Sequence, residues 1–299
     1  MIDNYTNNSE LFDSCLNLLD ESFPGCKEFA LNGIKYNASW KKASTPFILK
    51  EKDEIIAHAG VWPIIFMLNG KEHRSASIHG VCVKASHRGR GHFQQLMQEV
   101  MQYVANTFDS SVLFTGKPYL YKNYPYKVML PEYDFILSES NKYNARSHSK
   151  NSDLRMLQWD NADDLNLIYK LLSNRVPLSN QLSLIHENGN ILFVLNRMNK
   201  KIYYSEALKV LIVYEILDKT LYLKEIISTN QTDISDIIRL ILSAENIQVD
   251  KIIMQFCPDR FLEEKECSPV LARPENCIMT SDTFSFNGKY FRYPELYCC

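Results

Sequence analysis

Apolar residues recur along the first half of the chain with spacings that predict alternating helices and strands. Between residues 9 and 19 they fall at helical spacing, and Pro24-Gly25 ends that helix. Asn69-Gly70 is a two-residue hairpin signal between two of the predicted strands. Segments rich in Ile, Val and Phe predict four strands, at residues 46–50, 54–68, 75–84 and 111–115.

A second helix is predicted directly after a glycine-bearing loop. Its glutamine-rich face would be solvated, and its apolar face would pack on the sheet. The apolar positions follow the i, i+3, i+4, i+7 pattern and are Phe93, Leu96, Met97, Val100, Met101 and Val104.

The second half repeats this order more faintly, which suggests an internal duplication. A polar stretch at residues 137–152 is the predicted linker, so the domains are expected at residues 1–140 and 150–299. The predicted fold class is α/β with mixed sheets. The elements of the second half are helices at 162–173 and 232–244 and strands at 209–217, 220–227 and 251–256.

Composition and charge narrow the range of partners. The chain is 45% hydrophobic and 23% charged, which is typical of a globular protein. Its length of 299 residues suggests two domains. A net charge of −2 disfavours nucleic acid and anionic lipid as partners. The longest apolar stretch, residues 61–68, is too short for a bilayer helix. Residues 1–8 lack a signal-peptide pattern, so a cytoplasmic protein is expected.

The eight cysteines do not follow a disulfide or zinc pattern. Those of the first half are isolated from one another, and no Cys-x-x-Cys pair occurs, so reduced thiols and no metal are predicted. Three in the second half are evenly spaced, with His186 as the one histidine available to them: Cys257, Cys267 and Cys277.

Residues 80–97 read as a strand, a loop with two glycines between arginines, and the amphipathic helix. Amide groups at a helix N-terminus bind phosphate, and Gly89 and Gly91 let a ligand approach the backbone. Arg88 and Arg90 add positive charge. The alternative is a basic turn without a ligand.

Two other phosphate motifs do not fit this loop. A P-loop needs Lys and then Ser or Thr after its last glycine, and Gly91 is followed by His92-Phe93. A dinucleotide fingerprint needs a third small residue where Gln94 stands, and an acidic residue at the end of the next strand, whereas Asp109 precedes that strand.

The loop resembles motif A of the GCN5-related N-acetyltransferases (GNAT), in which Arg-x-x-Gly-x-Gly/Ala leads into a helix. Arg88 and Gly91 match, and Phe93 replaces the usual small residue. The His-Arg-x-Arg-Gly form of the loop is similar to the enhanced-intracellular-survival type, as are the segments at residues 58–63 and 69–71.

The resemblance implies tandem GNAT-like domains. The N-terminal domain would be active, and the C-terminal one degenerate, because residues 228–234 lack the Arg-x-x-Gly cradle. The degenerate domain would close the acceptor cleft or build a homo-oligomer interface. For acetyl-CoA, the family pattern implies pairing of the pantetheine arm with the backbone of Val81, Cys82 and Val83. It implies that the pyrophosphate is held by amides of Arg88, Gly89, Arg90, Gly91, His92 and Phe93.

The family also implies a tyrosine as general acid for the departing thiolate, within a Tyr-x-x-x-Gly-Phe/Tyr pattern. Residues 121–126 match except that Pro125 replaces glycine, so Tyr121 is the candidate. A neutral phenol suits this role. Tyr124 or Tyr126 could substitute, and plain packing is the alternative for any of the 17 tyrosines.

The general base is less well marked. In the resembling subgroup the C-terminal carboxylate does this work, which makes Cys299 the candidate. His58 and His79 flank the expected site, although strand histidines are more often structural. Cys82 lies beside the expected thioester, but direct attack by the amine needs no acyl-cysteine, and a mid-strand cysteine is usually a small apolar residue.

Four aromatic residues could form the wall of an acceptor slot, or simply pack in the core: Tyr36, Trp40, Trp62 and Phe66.

The predicted activity is acetyl transfer from acetyl-CoA to a primary amine in a ternary complex. Proteins, peptides, polyamines and aminoglycoside-like small molecules are candidate acceptors. An alternative is a non-catalytic acyl-CoA-binding regulator. Nucleic-acid binding through Lys84, Arg88 and Arg90 is a weaker third interpretation, because three cations do not form an extended footprint.

Overall fold

The computed structural model describes residues 5, 8–38, 40–128, 131–138, 143, 153–185, 189–197, 200–272 and 277–297. The α-helices within these residues are α1 (Ser9–Ser22), α2 (Cys26–Lys35), α3 (Trp40–Ala43), α4 (His92–Thr107), α5 (Ala162–Ser173), α6 (Gly189–Arg197) and α7 (Ile234–Glu245). The strands are β1 (Thr45–Glu51), β2 (Glu54–Leu68), β3 (Lys71–Val83), β4 (Ser110–Thr115), β5 (Tyr126–Val128), β6 (Tyr133–Leu137), β7 (Arg155–Met156), β8 (Leu182–Ile185), β9 (Tyr203–Ser205), β10 (Val210–Leu217), β11 (Thr220–Ser228), β12 (Lys251–Met254), β13 (Cys267–Leu271) and β14 (Cys277–Ser281).

The first sheet has the strand order β1-β2-β3-β4-β14-β5, and β8 pairs with the end of β2. The hairpin between β2 and β3 turns at Asn69 and Gly70, whose φ angles of 51° and 78° are the left-handed pair of a type I′ turn. The predicted hairpin is therefore confirmed.

A parallel pair of strands forms the centre of this sheet. The chain leaves β3, crosses through α4 and returns as β4, which pairs with β3 from Ser75 and Ser110 to Ile78 and Leu113. Beyond that point β3 continues to Val83 beside β2. The two parallel strands therefore separate after Ile78, and a gap opens in the sheet.

The two faces of the first sheet carry different apolar clusters. The face under α4 includes Leu96, Met97 and Val100, as the helical periodicity predicts. The opposite face carries α1 together with residues of α5, α6 and the C-terminal segment. Ligands placed in the gap between β3 and β4 would meet both faces.

The second sheet has the order β13-β6-β12-β11-β10-β9-β7. Its hairpin β10-β11, helix α7 and parallel strand β12 repeat the order β2, β3, α4 and β4 of the first. The predicted tandem GNAT-like architecture is thus present.

Strands are exchanged between the sheets. The early strand β6 lies between β12 and β13 of the second sheet, and the late strand β14 lies between β4 and β5 of the first. The division into domains at residues 1–140 and 150–299 stays a prediction. Strand β6 comes from the first of these ranges and lies in the second sheet, and β14 comes from the second range and lies in the first sheet.

Several elements lie outside the predicted pattern. Helix α2 starts at once after α1, because Gly25 with φ 87° reverses the chain at its N-cap. The short strands β8, β13 and β14 have too few residues for a clear period. No helix among the described residues has both the length and the apolar character needed to cross a bilayer.

Candidate functional site

The gap between β3 and β4 opens into a cleft of about 1440 Å³. Its lining includes Val81, Cys82 and Val83 of β3. Of the predicted loop residues, it also includes Arg88, Gly89, Gly91, His92 and Phe93. Arg90 is exposed and is not one of the described residues that line the cleft.

The loop before α4 forms an open cradle. Gly91 is the N-cap of α4 with φ 86°, and Gly89 has φ 78°, a backbone conformation that favours glycine. A Cβ at either position would meet nothing within 4 Å. The N-cap gives no side-chain hydrogen bond to the first turn, so its amides can turn to an anion.

Arg88 is held in place beside this cradle. Its Nε donates to the carbonyl oxygen of Val83 at 3.0 Å. The rest of the guanidinium makes no other hydrogen bond within the described residues, and it is exposed to the cleft. One strand residue therefore orients the positive charge of the loop.

Beyond Ile78, the edge of β3 that faces the gap pairs with no strand that the structure describes. On its other side, β3 pairs with β2 as far as Ala57 and Val83. Burial raises the pKa of the Cys82 thiol to about 11, so this group is a neutral thiol at physiological pH. A thiol of this kind is a poor nucleophile, in line with its expected role as a small apolar side chain.

Tyr121 ends a short 3₁₀-helix, Pro118–Tyr121, and lines the cleft. Burial, with a smaller contribution from Tyr124, raises its pKa to about 12. Within the described part of the chain its hydroxyl makes no hydrogen bond. The phenol is therefore protonated and free to donate.

The neighbouring tyrosines are less suited to this role. The Tyr126 hydroxyl lies 2.6 Å from Ser111 Oγ in the buried sheet. Tyr124 is less buried than Tyr121 and is not among the described residues that line the cleft. Partial burial raises the pKa of its hydroxyl. Pro125 does not prevent Tyr121 from reaching the cleft, since the chain forms a 3₁₀ turn here rather than a long helix.

His58 and His79 are unsuited to the role of base. Burial lowers the pKa of His58 to about 4, and burial with neighbouring His58 lowers that of His79 to about 3. His58 Nδ1 donates to the Gly80 carbonyl at 2.7 Å, and its Nε2 is bonded to Tyr5. His79 Nε2 is 2.8 Å from Ser44 Oγ. Both rings are neutral and held in the core.

Two of the four predicted wall aromatics, Trp40 and Trp62, line the cleft. The other two lie elsewhere: Phe66 packs against Phe284 and Tyr293 in the core, and Tyr36 packs against Trp159. The cleft is also lined by aromatic residues that the sequence did not indicate and that come from distant segments, among them Phe114, Phe193 and Tyr293.

A charged wall faces the same cleft. Arg292 lies 3.1 Å from Glu132 Oε1 and 2.9 Å from Asp134 Oδ1. Lys224 lies 3.2 Å from Glu295. These residues come from three separate segments, at 132–134, 224 and 292–295. The one local signal was the two-residue spacing of Glu132 and Asp134, which puts both on one face of an extended segment.

The remaining predictions concern the cysteines. Cys299 lies outside the described residues, which end at Tyr297. Cys267 and Cys277 fall on strands of different sheets, and Cys257 is buried. In the part of the chain that the structure describes, no three His, Cys, Asp or Glu side chains come together as a metal site requires.

The helix of the second domain that corresponds to α4 is closed to anions. The N-cap of α7 is Asp233, whose carboxylate accepts from the Ser235 amide at 2.7 Å. Asp236 adds a second negative charge to the first turn. A diphosphate would be repelled here, so the second domain is degenerate with respect to the cradle.

Comparisons with known proteins agree with this geometry. Residues 5–129 match the family model described as an acetyltransferase (GNAT) domain. No curated protein matches the chain.

Among solved structures, the chain is similar to a probable N-acyltransferase of unknown function from Enterococcus faecalis, with 14% identity and a TM-score of 0.61 over 91% of this chain and 69% of that one. A GCN5-related N-acetyltransferase from Kribbella flavida gives 16% identity and a TM-score of 0.56 over 94% and 69%. Eis1 from Mycobacterium abscessus gives 11% and 0.56 over 91% and 71%. These likenesses show that the chain has the GNAT fold, and the match to a GNAT acetyltransferase domain covers residues 5–129.

Proposed function

We propose that this protein is an acetyl-CoA-dependent N-acetyltransferase that acts on a primary amine. One observation carries the proposal: the open glycine cradle before α4 leads to the edge of β3 beyond Ile78, with which no described strand pairs, in the cleft that also holds Tyr121. A long ligand with a diphosphate at one end and an amide-containing arm fits this succession of groups.

Different residues would bind different parts of acetyl-CoA. Amides of the loop from Arg88 to Phe93, with the guanidinium of Arg88, would hold the diphosphate. The backbone of Val81, Cys82 and Val83 would pair with the pantetheine arm in the manner of an added strand. This places the thioester near Ile78, where β3 and β4 separate.

The chemistry is direct attack of the amine on the thioester carbonyl in a ternary complex. Positioning of the two reactants supplies much of the rate. Tyr121 donates a proton to the sulfur as the carbon–sulfur bond breaks. Because its pKa is raised, the phenol is protonated in the resting enzyme, so a proton is present beside the sulfur when the carbon–sulfur bond breaks.

The acceptor is a small-molecule or peptide amine that enters from the side of the second domain, whose residues line one wall of the cleft. A cytoplasmic location and a homo-oligomeric state stay predictions.

Calorimetric titration of acetyl-CoA tests the binding step. The wild-type protein is expected to bind in the micromolar range, and Arg88→Glu with Gly91→Asp is expected to weaken binding by about 100-fold or more. The matched control is Gly70→Asp, which places the same substitution at φ 78° with equally open space but outside the cleft. Absence of wild-type binding, or equal loss in the control, would contradict the proposal.

Release of free thiol in the presence of amines tests the reaction. The panel is a simple alkylamine, a polyamine, an aminoglycoside and a lysine-containing peptide. Turnover with at least one amine is expected. Tight binding of acetyl-CoA without turnover would instead favour the non-catalytic regulator.

A further inference from the structure

The proposed reaction needs a group that removes a proton from the acceptor ammonium. His58 and His79 are neutral and already hydrogen-bonded in the core. The cleft contains a carboxylate that the sequence did not single out. We propose that Glu132 is this general base, an inference that rests on the proposed acetyl transfer.

The position of Glu132 follows from a short chain of contacts. Phe114 is the first residue of β4 beyond the last pair with β3, and it lines the cleft. Its ring centroid lies 5.0 Å from that of Tyr293. The Tyr293 amide in turn donates to Glu132 Oε1 at 3.1 Å. Phe114 lies at the point where the thioester is expected, and Tyr293 links it to Glu132.

Glu132 and Tyr121 approach this point from opposite faces of the sheet. Tyr121 packs in the cluster under α4, with Val81 and Phe93 beside it. Phe114 and Tyr293, which carry the contacts to Glu132, belong to the cluster of the other face. An attacking nitrogen and a departing sulfur lie on different sides of a carbonyl carbon, so this separation suits one base and one acid.

The carboxylate is fixed at one oxygen and free at the other. Oε1 accepts from Arg292 Nη1 at 3.1 Å and from the Tyr293 amide. Within the described residues, Oε2 makes no hydrogen bond. A base held in this way presents one lone pair in a defined direction.

The electrostatic surroundings favour proton uptake. Burial raises the pKa of Glu132 above its usual range, and Asp134 acts in the same direction, while Arg292 opposes them. Lys224 and Glu295 are the other charged groups of the same wall. The carboxylate is thus a stronger base than an exposed glutamate.

Each proton of the acceptor ammonium that is lost has a defined destination. Glu132 takes one proton from R–NH₃⁺, and the amine lone pair forms the carbon–nitrogen bond. As the carbon–sulfur bond breaks, its electron pair leaves with sulfur, which takes the Tyr121 proton. The second nitrogen proton restores the tyrosine, and Glu132 returns its own proton to water. The products are the amide, CoA thiol and one proton.

The test compares pH profiles of kcat/KM for the amine that the wild-type enzyme turns over best. Glu132→Gln is expected to lower kcat/KM at pH 7 by at least about 100-fold. The loss should shrink as the pH approaches the pKa of the amine, because free amine then needs no base. Acetyl-CoA affinity, measured by calorimetry, is expected to stay at the wild-type value.

The matched control is Asp164→Asn. Asp164 is also buried and also pairs with one arginine, Arg155 at 2.7 Å, and one backbone amide, that of Gln158 at 2.8 Å, but it lies outside the cleft. Its substitution is expected to lower the melting temperature and to leave the form of the pH profile unchanged.

If the pH profile of Glu132→Gln matches that of the wild type, or lies below it by the same factor at every pH, Glu132 is not the base. The proposed acetyl transfer is unaffected by that outcome. Absence of turnover by the wild-type enzyme overturns the proposed function and this inference together. If Glu132→Gln does not bind acetyl-CoA, Glu132→Asp replaces it. That variant should keep the wild-type profile at a lower rate, and a profile that instead climbs towards the amine pKa contradicts the proposal.

Discussion

The ring of Phe93 meets the ring of Tyr121 edge to face, with 5.5 Å between centroids and 77° between planes. Phe93 stands in the cradle before α4 at a position where the family usually has a small residue, and its ring also contacts Tyr124 at 6.1 Å. The departure from the motif therefore has a structural consequence. The ring of Phe93 joins the cradle before α4 to the proposed proton donor, Tyr121.

Removal of this ring should affect turnover more than binding. Phe93→Ala is expected to lower kcat by about tenfold, since an aromatic pair contributes roughly 0.5–1.5 kcal/mol and its loss frees the Tyr121 ring. The affinity for acetyl-CoA should change little, because the loop binds through backbone amides. Phe93→Leu, which restores bulk, is expected to recover part of kcat. Equal losses in kcat and affinity would argue against a positioning role.

Loss of the phenol itself should be more severe. Tyr121→Phe is expected to lower kcat by about 100-fold, the usual contribution of a general acid. The control is Tyr126→Phe, which removes the hydroxyl bonded to Ser111 and should lower the melting temperature while turnover is retained. Steady-state thiol release and thermal unfolding distinguish the two variants. A fully active Tyr121→Phe enzyme would remove Tyr121 from the mechanism.

The close approach of Gly60 to His79 predicts a stability effect. A Cβ on Gly60 would lie 2.4 Å from His79 Nε2 and 2.8 Å from Ser44 Oγ. Gly60→Ala is therefore expected to destabilise the protein by about 1–3 kcal/mol. Urea unfolding of Gly60→Ala, His79→Ala and the double variant measures the coupling. The second substitution should relieve the clash, and strictly additive losses would contradict this explanation.

Glu225 predicts a pH dependence of stability. Burial raises the pKa of this carboxyl to about 8, against about 4.5 for a glutamate exposed to water. Between these values the folded state keeps a proton that the unfolded chain releases, so this group makes stability fall as the pH rises through the window. Glu225→Gln imitates the protonated acid. Its melting temperature should exceed that of the wild type at pH 8 and be close to it at pH 5, and an equal difference at both pH values would refute the assignment.

Local sequence patterns predicted much of the first domain. The periodicity over residues 93–104 identified the buried face of α4, and Asn69-Gly70 identified the β2-β3 turn. The cradle was found from Gly89 and Gly91 because its conformation depends on neighbours within a few residues. The histidines were harder to assign, since nothing in the sequence near His79 indicates its bond to Ser44.

The sequence by itself determined the helices and strands with a clear period, among them α4 and the β2-β3 hairpin, and the position of the glycine loop before α4, because periodicity and turn residues act over short distances. Only the tertiary structure decided that β14 enters the first sheet, that β6 enters the second, and that Arg292 and Tyr293 hold Glu132 in the cleft. Those contacts join residues more than a hundred positions apart. They follow from the packing of whole sheets, which no local pattern records.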